Sequence, residues 1–156
     1  MIFIPGKRHG KESGWGSDQA QALVETSLSV MLFALLIFGA TEFARLAYVA
    51  IEVSNAAKAG VQYAASSSST SGDGTGVQTA ATNEAKNITV TATLQPLSIV
   101  CSDGTAYSKT NGCAAGTSAV STVTVTTSTS FNPLIHIPGF GGSFTLTGQA
   151  SQVVGD

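Results

Sequence analysis

The sequence predicts an α+β protein in which a long N-terminal membrane-spanning helix is packed by its upper half on a small antiparallel sheet. Residues 21–40 form an unbroken apolar or small-residue run whose one charge is Glu25, a length that crosses a bilayer as a helix. Beyond it, apolar residues keep a three- and four-residue spacing to residue 65, the period of an amphipathic helix. In the second half, Val, Ile, Leu and Phe alternate with Thr in several short stretches, the period of half-buried strands.

Length and composition bound what the chain can do. Its 156 residues leave room for one spanning helix and one exported domain of roughly 90 residues, large enough to fold around a modest core. Charged residues make up 10% of the chain, against a usual ~25%, and Ser, Thr, Ala and Gly fill the deficit. Such a composition suits an extracytoplasmic β-rich domain better than a cytosolic enzyme. The net charge is −2, and after Arg45 the charges are scattered singly. There is no basic stripe to track a phosphate backbone, so no nucleic-acid partner is expected.

Residues 1–20 carry Gly and Pro where a helix needs continuity, and they read as a leader rather than a domain. Lys7, Arg8 and Lys11 precede the apolar run, which places the N-terminus in the cytoplasm and everything after about Thr41 outside. The chain is expected to cross its membrane once. Gly14, Gly16, Ser17 and Ala20 crowd the leader's end, as an extended segment entering a protease cleft requires.

Glu25 is the group that needs explaining. A carboxylate in hydrocarbon is expensive unless partnered or close to the headgroups, and Gln21, Ala22, Leu28 and Ser29 one turn away are neutral. Cleavage between Ala20 and Gln21 would supply an α-amino group one turn from Glu25, or one subunit over in a staggered bundle. Cleavage after Gly16 would lose that spacing. The plainer reading is an acid that snorkels to the headgroups.

The helix is expected over residues 21–65, about 45 residues and ~68 Å, with 21–41 in the membrane and 42–65 amphipathic. Phe43, Leu46, Ala47, Ala50, Ile51, Ser54, Ala57, Val61 and Ala64 would form the inward stripe, and Glu42, Arg45, Glu52, Asn55 and Lys58 the outward one. Glu42 and Arg45, one turn apart, would make a solvated ion pair. Residues 66–76 are a Ser/Gly linker. The extracytoplasmic domain then occupies 77–156, opening with a short helix to about Asn87. Strands follow over 88–94, with Ile88, Val90, Ala92 and Leu94 on one face; over 119–131, with Val123, Val125 and Phe131 inward and Thr122, Thr124 and Thr126 outward; and over 144–150, with Phe144, Leu146 and Ala150 inward.

Cys101 and Cys113 lie in the exported part among turn residues, where a disulfide is expected. The closed loop of about thirteen residues would add roughly 3 kcal/mol in the chain-entropy picture. The alternative is two free thiols; a metal site would need more ligands than these and a solitary His136. Residues 132–142 form a loop whose Pro133, Leu134, Ile135, Ile137 and Phe140 are apolar, the mark of a surface that meets a partner or a membrane. No nucleophile is placed with a base. Gly72-Asp-Gly-Thr-Gly76 lacks the Lys of a phosphate loop, and Asp73 and Asp103 are too isolated for calcium. Asn87-Ile-Thr89 matches a glycosylation triplet, a pattern common by chance. No enzyme activity, cofactor or metal is implied.

In combination, Ala20-Gln-Ala-Leu-Val-Glu25, the apolar run, Gly39-Ala-Thr-Glu-Phe-Ala-Arg45, Asn55-Ala-Ala-Lys-Ala-Gly-Val-Gln-Tyr-Ala-Ala65 and the closing hairpin around Val123-Thr-Val-Thr and Phe144-Thr-Leu-Thr resemble the TadE-type pseudopilins of tight-adherence (Flp-type) pilus and secretion systems. The resemblance implies a pilin-like fold, removal of the leader at Ala20 and Gln21 by a prepilin-type peptidase, and charge neutralisation through Glu25 during assembly. It also implies contacts with other pilins through the N-terminal helix, with an inner-membrane assembly platform and with membrane lipid. The expected function is that of a minor structural subunit in pilus assembly or initiation. The alternative is a single-pass anchored binding domain with no filament role; a secreted protein with a signal peptide is disfavoured by the length of the run and the lack of an exit site.

Overall fold

The computed structural model describes residues 15–134 and 142–155. Lys7, Arg8 and Lys11 of the expected leader, and Ile135, His136, Ile137 and Phe140 of the expected loop, lie outside the described residues. The order of elements is α1 (Trp15–Ala65), α2 (Gly74–Glu84), β1 (Thr91–Leu94), β2 (Ser98–Cys101), β3 (Ala119–Phe131) and β4 (Phe144–Val153). The architecture is α+β, a long apolar helix with a small antiparallel sheet, and the chain divides into two compact units, Met1–Thr41 and Glu42–Asp156.

In the first unit α1 begins at Trp15, earlier than the expected Gln21, so residues 15–20, expected as an extended segment, are helical. Once the apolar segment has nucleated a helix, each further residue gains a backbone hydrogen bond at little cost, and Gly16 alone does not stop that growth. The large side chains are exposed, Leu28 and Phe33 among them. The hydroxyls of Thr26, Ser27 and Thr41 donate to the carbonyls of Ala22, Leu23 and Ile37 at 2.8, 2.7 and 2.9 Å. These bonds leave each hydroxyl satisfied without water, as an apolar solvent demands. Of the described helices, α1 is the one long and apolar enough to cross a membrane.

The second unit begins at Glu42 and contains the rest of α1, where the expected inward face is rotated by about one residue. Val53, Ala56, Ala57, Gly60, Val61 and Ala64 are buried, with Leu46 and Val49 half-buried. By contrast Phe43, Ala47, Ile51 and Ser54 are exposed, Phe43 at 74% and Ile51 at 60%. The cause is the closeness of the helix to the sheet. A Cβ built on Gly148 of β4 would lie 2.7 Å from the Val53 carbonyl oxygen, and one on Gly60 would lie 3.1 Å from Val125 Cγ1. Only the stripe rich in Ala and Gly permits that approach; the larger side chains are turned away from it.

The sheet is built around β3. β4 lies along one edge of it, from the Thr122↔Val153 pair to the Phe131↔Phe144 pair. Both β1 and β2 lie along the other edge, from Thr91↔Ser128 to Leu94↔Val125 and from Ser98↔Thr122 to Cys101↔Ala119. The register shifts by one residue between the last pair of β1 and the first of β2, so the two strands are one bulged ribbon interrupted around Pro96. β2 falls in what the sequence reads as an irregular cysteine loop. The expected first strand is trimmed to Thr91–Leu94, although Val90 is still buried and Ile88 half-buried on the anticipated face.

Strand β3 alternates as expected, with Val123, Val125 and Phe131 buried, and adds Thr127 and Thr129 to the same inner face. Their hydroxyls have work inside the core: Thr127 donates to the Val53 carbonyl at 2.7 Å and Thr129 to the Thr89 carbonyl at 2.6 Å. Buried hydroxyls are tolerated when bonded in this way.

Residues 66–73 are a packed turn, not a loose linker. Thr70 Oγ1 accepts from the Ser67 N–H at 3.1 Å and donates to the Ser67 carbonyl, and Asp73 caps α2 by accepting from the Gly76 N–H at 3.0 Å. α2 therefore starts at Gly74, inside the expected linker, and buries Val77 and Ala81 between α1 and β1. The amide of Gln78 ties α2 to β1, donating to the Val90 carbonyl at 2.9 Å and accepting from the Ala92 N–H at 2.7 Å.

Candidate functional site

The residues singled out by the sequence fall in three places. Ala20, Gln21 and Glu25 lie on α1 in the first unit, all exposed. Helical geometry sets Gln21 and Glu25 one turn apart on one face. Among the described residues no basic side chain pairs with Glu25; the ion pair there is Arg45 with Glu42.

Cys101 and Cys113 form a disulfide, with their Cα atoms 5.6 Å apart. Cys101 is the last residue of β2 and is buried, so the bridge ties the loop to the edge of the sheet. Asp103 inside the loop accepts from the Thr105 N–H at 3.0 Å and from its hydroxyl at 2.7 Å. These two bonds, the backbone one foremost, hold its carboxyl below the usual range.

The third place is where the β3–β4 hairpin meets the start of the second unit. The hairpin runs down α1 in order: Gly155 N–H bonds the Ala65 carbonyl at 2.8 Å, Thr127 meets Val53, and Phe131 lies beneath Arg45, whose guanidinium carbon is 5.4 Å from the ring centroid. At the bottom, Glu42 Oε1 accepts from the Leu134 N–H at 3.0 Å and from Arg45 at 3.1 Å. Sequence reasoning took Glu42 and Arg45 as a solvated pair on the outer face. Instead, Glu42 anchors a backbone amide far along the chain, and Arg45 covers an aromatic ring of the sheet, an attraction of the cation–π kind. No local pattern could have shown this contact.

Of the expected contact residues, Pro133 is half-buried and Leu134 is exposed; Ile135, Ile137 and Phe140 lie outside the described residues. Beside the hairpin is an open groove of about 550 Å³ whose lining includes Arg45, Thr89, Ser128, Thr129 and Phe131. It offers hydroxyls and one cation, with no nucleophile–base pair. The Asn87 amide of the glycosylation triplet is engaged, donating to the Tyr48 hydroxyl at 2.7 Å and to Glu52 Oε1 at 2.8 Å. Among the described residues no His, Cys, Asp and Glu cluster could hold a metal.

Residues 20–62 match the model of the TadE family, described as TadE-like protein. Over those residues the chain is similar to TadE-like proteins. The match spans the residues that carry Ala20, Gln21, Glu25 and Glu42 and stops short of the sheet. A TadE-like segment is consistent with a protein of tight-adherence systems. No curated protein and no solved structure matches the chain.

Proposed function

We propose that this TadE-like chain is a minor pseudopilin of a tight-adherence pilus or secretion filament, made with a cytoplasmic leader that a prepilin-type peptidase removes between Ala20 and Gln21. The observation that carries the reading is Glu25: an acid one turn beyond that bond, inside the TadE-like segment, exposed, with neutral residues one turn away and no ion-pair partner among the described residues. Cleavage creates an amine on Gln21. In a bundle of such helices that amine neutralises Glu25 of a neighbouring subunit, and the pairing sets the axial stagger, because a charge pair in a low-dielectric bundle is costly to break. In this reading the peptidase, the assembly platform and the other pilins meet the chain at the inner membrane and the disulfide-bonded domain lies outside; the candidate spanning helix near the N-terminus supports a single-pass arrangement.

The helical state of Trp15–Ala20 adds one requirement: the peptidase must unwind the start of α1 before it can cut, since proteases act on extended segments. The test is the N-terminal sequence and intact mass of the chain from its native host, with and without a working prepilin-type peptidase. A mature chain beginning at Gln21 only when the peptidase is present is the expected result. An intact N-terminus in both samples overturns the reading and leaves an anchored domain. For Glu25→Ala the expectation is a folded second unit with assembly abolished, scored by circular dichroism and by counting pili; normal piliation removes the role given to Glu25.

A further inference from the structure

Three exposed apolar side chains lie at one end of the second unit, the end at which its part of α1 begins. Phe43 and Leu134 are 74% and 73% exposed and Phe144 is 43% exposed. Leu134 is fixed there by its N–H bond to Glu42, and Phe144 by its pairing with Phe131, whose ring lies 5.2 Å away and under Arg45. Single exposed hydrophobic residues are ordinary on protein surfaces. These are held at a particular level by specific bonds.

We infer that this end of the domain, presenting Phe43, Leu134 and Phe144, rests in the interfacial layer of the bilayer that α1 crosses. The inference deepens the proposed function and rests on its reading of residues 21–41 as the span. Glu42 is the next residue, so whatever its carboxylate holds lies within a side chain's length of the membrane exit. Helical side chains lean toward the helix N-terminus, so the Glu42 carboxylate lies toward the start of the second unit's part of α1. Leu134, bonded to it, lies at that same end.

The chemistry around the three residues agrees with lipid as the occupant. From residue 132 to residue 155 the sequence contains no Asp, Glu, Lys or Arg, and His136 is its one basic side chain, so approach to the headgroups desolvates no permanent charge from this stretch. The two charges that do lie at this level are paired with each other, and the Glu42 carboxylate is further satisfied by the Leu134 amide. Aromatic and aliphatic groups partition favourably into the interfacial layer.

The test uses the full chain reconstituted into vesicles of phosphatidylcholine with and without bromine on the acyl chains, a short-range quencher of fluorescence. The native cysteines are bonded, so single variants Leu134→Cys, Val30→Cys and Ser69→Cys accept an environment-sensitive fluorophore one at a time. Val30 lies in the span and Ser69 in the turn at the far end of the domain. The expected result is a blue-shifted emission that loses most of its intensity in brominated vesicles for Val30 and Leu134, with Ser69 unaffected. Quenching at Val30 with a Leu134 probe as unquenched as that on Ser69 overturns the inference alone. No quenching at Val30 overturns the spanning reading and the inference with it.

Discussion

The two units divide one helix between two solvents. Over residues 21–41 α1 exposes Leu, Phe, Ile and Val together and bonds the hydroxyls of Thr26, Ser27 and Thr41 to its own backbone. From Glu42 onward the same helix buries a stripe of Ala, Gly and Val and exposes Phe43 and Ile51. The difference teaches that side-chain size, more than hydrophobicity, decides which face of the upper helix is the interior. A flat pair of strands lets a helix approach closely where Gly and Ala meet it, and the gain in dispersion contacts comes from that proximity. Over residues 21–41, length and apolar composition are what the sequence specifies.

The sharpest way to break this contrast is Gly148→Ala. The added methyl would meet the Val53 backbone at 2.7 Å, and forcing helix and sheet apart is expected to cost about 2 kcal/mol, read as a fall in the unfolding midpoint of the full chain in detergent. An unchanged midpoint would show that the approach is looser than described. Next comes Thr127→Val, which keeps the shape and removes the hydroxyl bonded to the Val53 carbonyl. A loss of about 1 kcal/mol is expected, measured in the same way, and a gain would mean that the hydroxyl is a burden there.

A smaller effect, and one of known sign, belongs to Asp73. Its bond from the Gly76 N–H, then that from the Tyr63 hydroxyl, lower its pKa. A depressed carboxyl contributes stability that is present above the ordinary Asp value of about 3.9 and is lost as pH falls through its folded value. Thermal melts at neutral pH and well below that value should therefore converge for wild type and Asp73→Asn on the acid side; a constant gap between them would refute the assignment. The smallest effect is expected for Leu35→Ala in the lower half, within about 0.5 kcal/mol for the second unit. A larger shift would reveal that the lower half already packs on another protein chain in detergent.

Much of the fold could be read from local pattern because its period was regular. β3 was legible over its whole length, since Val and Thr alternate over residues 122–126 and Ser and Thr continue the run to Phe131; β4 was read short at its end, and its Phe144, expected inward, is exposed because it stands at the loop end of the hairpin. α1 was legible as one helix, yet its inner face was not: a rule that counts apolar positions favours Phe43 and Ile51, whereas the sheet selects Ala56 and Gly60. β2 could not be seen because Ser98-Ile-Val-Cys101 sits between Pro96 and a turn, and its pairing with β3 is set from across the sheet. At the candidate sites, the Cys101–Cys113 bridge followed from compartment and spacing. The bond from Leu134 to Glu42 joins residues 92 apart in sequence and leaves no local trace.

The side chain of Gln78 has a consequence for how this domain can meet other chains. Its amide presents to Val90 and Ala92 the donor and the acceptor that a neighbouring strand would present, so the outer margin of β1 offers no unpaired backbone at those positions for a foreign strand to copy. Exposed strand margins are the usual templates for unwanted pairing and aggregation. Among the described residues, β4 pairs on one side alone, and its outward Thr145, Thr147, Gln149 and Ser151 are polar. Enlargement of this sheet by a strand from another molecule is thereby steered away from α2 and toward the margin of β4.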